Sequence, residues 1–207
     1  EGDLSARKSF DAIRATLDYN PLVVDLIYAK IEEGNVNLND DVSLGGINAN
    51  YALNKNTTLE GFFFSKVKGS QAAEVTHLDT ANATTFTNSA LIKQAADVVN
   101  TVGARVVNKT VKNLTLDVQG ALQFGTYNPK FDPNAKYQST TALAKTSKRR
   151  ASGLEALATY DLKDIAMLSK YSPSITGAYV YLSGESRNKM DNDDYHGWDG
   201  MYENQTF

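Results

Sequence analysis

Ten polar side chains recur at alternate positions inside otherwise apolar stretches: Arg14, Asp18, Asp25, Glu60, Lys66, Arg105, Asp117, Gln119, Gln123 and Glu155. Successive side chains of a strand point to opposite faces, so charges spaced by two residues project from one side of a sheet. Such a wall does not focus proton transfer on one atom. Arg14 and Arg105 facing Asp117 and Glu155 would set a transverse field able to select ions, or would salt-bridge and wet an interior, and the two are compatible. Catalytic patterns are missing: His77 and His196 lie far apart in polar connections, and no G-x-S-x-G, H-E-x-x-H, Walker or paired G-x-G-x-x-G spacing occurs. The expectation is therefore a protein without enzymatic chemistry and without a cofactor. Asp191, Asp193 and Asp199, with Asn192 and Asp194, offer closely spaced oxygens of the kind Ca²⁺ takes. They lack the glycine and distal glutamate of an EF-hand, and a solvated acidic loop is the plainer reading.

The element that must position the central charges is Leu114 to Gly125. Leu114, Leu116, Val118, Gly120, Leu122 and Phe124 fall on one face; Thr115, Asp117, Gln119, Ala121, Gln123 and Gly125 fall on the other. About twelve residues at roughly 3.3 Å each reach about 40 Å, the length of a tilted strand crossing a bilayer. A long strand of a soluble sandwich shows the same alternation, so the remainder of the chain has to decide.

Similar segments recur. Ser9 to Tyr19, Leu22 to Ile31, Val42 to Leu53, Thr57 to Val67 and Val98 to Val107 all alternate, and a last strand is expected at about Leu168 to Ser183. The pair Asn20-Pro21 marks a turn, and Gly45-Gly46 suggests a bend or a close backbone approach. Arg149 to Asp161 reads as a helix by propensity and as a strand by the alternation of Leu154, Ala156, Ala158 and Tyr160; its neighbours favour the strand. A short helix over Ala90 to Val99 is a further option, as decoration of a loop. Tyr19, Tyr28, Tyr51 and Tyr160, near strand ends, fit an interfacial aromatic girdle.

Composition narrows the class. With 42% hydrophobic residues the chain can fold, and 21 basic against 24 acidic residues give no field for nucleic acid. Cysteine is absent, which removes disulfides and thiolate metal sites. No apolar run approaches the roughly 18 residues of a membrane helix, so a membrane-spanning form of this chain has to be a closed barrel.

The connections carry the strongest inference. In order they are short, medium, short, long, short, long, short and long, with the long ones at about 68–97, 126–148 and 184–207. Nearest-neighbour hairpins put every second connection on the same rim, so one rim has tight turns and the other has long loops, as in outer-membrane barrels. A Greek-key sandwich gives no such asymmetry. The expected fold is all-β, an antiparallel up-and-down transmembrane barrel of about eight strands here, with both chain ends on the long-loop rim as in the interior of a larger barrel. A soluble lipocalin-like barrel would need the face bearing Asp117, Gln119 and Gln123 to be a buried core, and it is too polar for that.

Six stretches resemble the alginate-export family of Gram-negative outer-membrane β-barrels: Ala6 to Asp11 leading to Leu17-Asp18-Tyr19; Val24 to Lys30; Val102 to Arg105; Gly120 to Gly125; Ala178 to Glu185; and Trp198 to Thr206. The resemblance implies a porin-like barrel of about eighteen strands, of which this chain is a central portion. It implies a channel in the cell outer membrane, set in lipid bilayer and lipopolysaccharide, that passes a polysaccharide or another hydrophilic solute. An alginate conduit is expected to be rich in Arg and Lys, whereas the ten residues named above are a mixed set. The alternative is a barrel serving as a scaffold or sheath, binding a partner protein through its lumen or long loops.

Overall fold

In a computed structural model the structure describes residues 11–32, 41–69, 72–73, 77–79, 84–86, 92–93, 96–128, 146–165, 171–185 and 194–201. No helix occurs among them. The long strands are β1 (Asp11–Asp18), β2 (Leu22–Glu32), β3 (Val42–Asn54) and β4 (Thr57–Lys68), then, beyond four short strands β5 to β8 between 72 and 93, β9 (Asp97–Asn108), β10 (Leu114–Tyr127), β11 (Ser147–Asp161) and β12 (Ser174–Leu182). A two-residue strand, β13 (Asp194–Tyr195), completes the order.

The eight long strands form one sheet in the order β1-β2-β3-β4-β9-β10-β11-β12, every neighbour antiparallel. This is the up-and-down meander that the alternation and the turns require. β1 and β12 remain the two edges, so the described sheet does not close on itself. The segment over Arg149 to Asp161 is strand, because cross-strand pairing on both sides outweighs its helical propensity. The helix option over Ala90 to Val99 fails for the same reason: 92–93 pairs with 72–73, and β9 begins at Asp97. The last strand begins at Ser174 instead of about Leu168, which lengthens its connection to 162–173.

Backbone bonds and an asparagine cap shape the tight rim. Tyr19 N donates to Leu22 O at 2.8 Å across the Asn20-Pro21 turn, and Asn56 N donates to Asn54 Oδ1 at 2.8 Å. Asn113 adopts a left-handed φ of 62°, which Asn tolerates, and its carbonyl accepts from Asp161 N at 2.8 Å. Lys109 N donates to Asn56 O at 2.8 Å, so adjacent turns are tied together.

Register extends the two-faced pattern across the sheet. On the apolar face Leu26, Ile47, Phe63, Val102 and Leu122 stand in one lateral row, and Tyr51, Leu59, Val106, Val118, Ala156 and Tyr179 stand in another. All of these side chains except the half-buried Ala156 are exposed: Leu122 is 60% exposed while its neighbour Gln123 is 2% exposed. The small core lies on the opposite face. Ala29, Val42, Leu44, Val99, Tyr127 and Ala151 are buried there, all toward the long-loop rim. Glycines make room on that face: a Cβ on Gly46 would collide with the Phe64 ring, and one on Gly103 with the Phe62 ring. The close approach expected at Gly45-Gly46 thus falls on Gly46. Gly125 has a φ of 142°, and a Cβ there would strike Val98 O.

Candidate functional site: the polar face and its tail

All ten polar residues picked out by their spacing project from the same face of the sheet. Pairing places Asp18 opposite Val23, Val23 opposite Asn50, Asn50 opposite Glu60, Glu60 opposite Arg105, Arg105 opposite Gln119 and Gln119 opposite Glu155. One lateral row therefore holds Asp18, Glu60, Arg105, Gln119 and Glu155. Lys66 and Gln123 lie nearer the long-loop rim.

The arginines are matched to carboxylates diagonally across strand pairs, where a long side chain reaches two residues along. Arg14 donates Nε and Nη2 to Asp25 Oδ1 and Oδ2 at 2.9 and 2.7 Å, and Thr16 Oγ1 donates to Asp25 Oδ1 at 2.6 Å. Arg105 donates Nε and Nη2 to Asp117 at 2.8 and 2.5 Å, with Nη1 at 3.5 Å from Glu60 Oε2. Arg14 therefore meets neither Asp117 nor Glu155, being on the far side of the sheet. Glu155 has no ion pair among the described residues, because Gln119 separates it from Arg105. Among the described residues Asp18 accepts only the turn amide of Asn20, at 3.1 Å.

Toward the long-loop rim the tail returns to this face. β13 pairs in parallel with Lys148 and Arg149, and residues 197–201 then cross the sheet. Trp198 N donates to Ser183 O at 2.9 Å, and its ring lies over Gly153, where a Cβ would come within 3.2 Å of it. Asp199 is the hub. Lys66 Nζ donates to its Oδ1 at 2.6 Å, Gln123 Nε2 to its carbonyl at 2.8 Å, and its own N–H to Gln123 Oε1 at 2.9 Å. Met201 N donates back to Asp199 Oδ1 at 2.7 Å, and Thr101 Oγ1 to Met201 Sδ at 3.0 Å. Burial alone would raise the Asp199 carboxyl. The Lys66 charge and hydrogen bond, the Met201 N–H and the Arg149 charge outweigh it and hold the group below its ordinary value.

Arg149, 4% exposed, anchors this end. Its Nη2 lies 3.1 Å from Asp97 Oδ1, and its guanidinium stands 5.4 and 5.2 Å from the rings of Tyr127 and Tyr195, which stack at 3.6 Å. Asn128 N donates to Asp97 Oδ2 at 2.8 Å. Spacing alone did not single out Arg149 or Asp97, and it offered Asp199 only as a Ca²⁺ candidate. Arg149 extends the alternation of Ala151, Gly153 and Glu155, and Asp97 extends that of Val99, Thr101 and Arg105, so their face was readable and their pairing was not.

At the tight rim, outside the strands, Lys112 Nζ and Asn113 Nδ2 both donate to Asp164 Oδ2, at 2.6 and 2.7 Å. The hydrogen bond from Lys112 holds the Asp164 carboxyl below its ordinary value, and the same bond raises Lys112.

Of the Ca²⁺ candidates, Asp191 and Asp193 lie outside the described residues, and Asp199 is engaged by Lys66. Among the described residues no group of three or more His, Cys, Asp or Glu could hold a metal ion. The side chain of His77 also lies outside the described residues, and His196 Nδ1 is 2.9 Å from Arg150 O. No family model, no curated protein and no solved structure matches this chain.

Proposed function

We propose that this chain is part of the wall of an outer-membrane β-barrel channel of a Gram-negative bacterium, passing hydrophilic solutes by diffusion and without enzymatic chemistry. The observation that carries the reading is the inverted polarity of the sheet: rows of Leu, Ile, Val, Phe and Tyr are exposed on one face, while Asp25, Thr101, Gln123 and Arg149 are buried on the other. Soluble monomers rarely expose contiguous apolar patches beyond a few hundred Å². From Leu114 to Phe124 the apolar face runs about 33 Å along the strand, and with a tilt near 40° that is about the 25 Å apolar band of such barrels.

Further support comes from the rims. The connections 19–21, 55–56 and 109–113 are tight and share one rim, where 162–173 is the exception to the expected short turns, and Tyr19, Tyr51 and Tyr160 lie exposed close to it. The opposite rim carries 33–41, 69–96 and 128–146. β1 and β12 stand as unjoined edges, in keeping with a barrel larger than these eight strands and with the resemblance to the alginate-export family.

The face assigned to the lumen shapes the solute class. Both strand arginines that reach it near the tight rim are paired with carboxylates, whereas Asp18 and Glu155 carry no ion pair among the described residues. An unbalanced acidic wall repels a polyanionic polysaccharide and admits small hydrophilic solutes, cations ahead of anions. The test is single-channel recording of the full-length protein in planar bilayers under a salt gradient. Open steps with a cation-selective reversal potential are the expected result, and a folded barrel that gives no steps overturns the channel.

A further inference from the structure

We infer that residues 197–201, anchored by β13, form a strap seated inside the pathway, narrowing it at the long-loop end and able to lift away without disturbing the sheet; this rests on the channel reading above. The strap's contacts run across Lys66 on β4, Thr101 on β9, Gln123 on β10, and Arg149 and Gly153 on β11. Those are four adjacent strands, about 14 Å of wall at 4.8 Å per strand. A layer of chain packed on a sheet takes up about 10 Å of the space above it. If the polar face lines a lumen, that space is taken from the lumen.

The seating is polar and made of side chains. Past β13, the wall meets residues 197–201 through the Lys66 ammonium, the Gln123 amide, the Thr101 hydroxyl and, at 4.0 Å, the Arg149 guanidinium, with a backbone bond from Trp198 N to Ser183 O. None of these belongs to the ladder between long strands. Lifting 197–201 therefore costs no strand pairing, and water can take over each exposed donor and acceptor. The segment lays the Trp198 ring over Gly153 and also presents Asp199 to a lysine. Its shape is held from within, since Met201, at a φ of 56°, donates its N–H to Asp199 Oδ1.

The chain has no cysteine, so a pair can be introduced cleanly. Full-length protein carrying Thr101→Cys and Met201→Cys would be treated with a short, reductant-cleavable bis-methanethiosulfonate and recorded in planar bilayers before and after reduction. The expected result is efficient cross-linking, low conductance while linked, and a rise of roughly twofold or more on reduction, matched by Asp199→Asn without any cross-link. Linked and reduced protein of equal conductance, with Asp199→Asn like wild type, overturns the strap and leaves the channel standing. Failure of the pair to cross-link in folded protein overturns the seating itself. Absence of conductance in every form, Asp199→Asn included, overturns the channel and the strap with it.

Discussion

Lys66 and Asp199 are 133 residues apart in sequence, yet Lys66 Nζ lies 2.6 Å from Asp199 Oδ1, both side chains less than a quarter exposed. The pair joins the long-loop end of β4 to the tail across the polar face. Lys66→Ala leaves a half-buried carboxylate without its cation, which should cost the seating of the tail about 1–3 kcal/mol. Trp198 is the only tryptophan in the chain and adjoins Asp199, so its emission reports the outcome. A red shift in Lys66→Ala at neutral pH is expected, and unchanged emission would show that the ion pair does not hold the tail.

The same carboxylate sets a pH dependence. Asp199 is held below its ordinary value, so its contribution is fully present above the unfolded carboxyl value of about 3.9 and is lost as pH falls through the lower folded value. In wild type the Trp198 emission should stay constant from pH 7 to about 4 and shift only below that range. Asp199→Asn, which cannot titrate, should show the shifted emission at neutral pH and little further change on acidification.

Gly103 and Gly61 form a matched pair of tests. A Cβ on Gly103 meets the Phe62 ring and comes 2.8 Å from Gly120 O, whereas one on Gly61 meets nothing within 4 Å. Gly103→Val should therefore destabilise by about 1–3 kcal/mol through overpacking, and Gly61→Ala should be close to neutral. Urea titration of refolded protein separates them. Equal midpoints would mean that the Phe62 ring does not lie against Gly103.

Much of this arrangement was legible because strand parity is local. Leu122 and Gln123 are adjacent, and alternation alone put them on opposite faces, as their exposures of 60% and 2% bear out. Which charges meet was not legible. Arg14 reaches Asp25 because the turn at Asn20-Pro21 sets Thr16 opposite Asp25, leaving Arg14 on the diagonal. Glu155 misses Arg105 because a whole strand lies between them. Asp199 had no periodic context at all: its partners come from β4 and β10, and a polar tail gives no local sign of where it docks. The start of the last strand was misplaced because the stretch before Ser174 carries no clear punctuation before Pro173.

Glu155 and Arg105 make opposite predictions for ion selectivity. A unit charge about 7 Å from a passing ion in water is worth about 0.6 kcal/mol, a factor of about three in local concentration. Glu155→Gln removes an unpaired negative charge, so cations lose and anions gain a factor of about three each, and the cation-to-anion permeability ratio should fall about sevenfold. Arg105→Ala releases Asp117 and Glu60 from their shared cation, and the ratio should rise. Reversal potentials in a tenfold salt gradient read both, and shifts of the same sign in the two variants would remove these residues from the pathway.

The orientation of the sheet is open to a direct test at Leu122. That side chain is 60% exposed on the apolar face, in the row with Val102 and Phe63, which stand at the middles of β9 and β4. On the surface of a soluble sheet, Leu122→Arg replaces one exposed side chain by a better hydrated one and should change stability by less than about 0.5 kcal/mol. Facing lipid near the midplane, the same substitution costs about 2–4 kcal/mol, falling toward zero near the interfaces. Folding into lipid vesicles, followed by urea titration, should thus show a large loss for Leu122→Arg and a small one for Leu53→Arg, since Leu53 is exposed on the same face at the tight rim. Two small and equal effects would mean that the apolar face does not meet lipid, and the channel reading would fall with it.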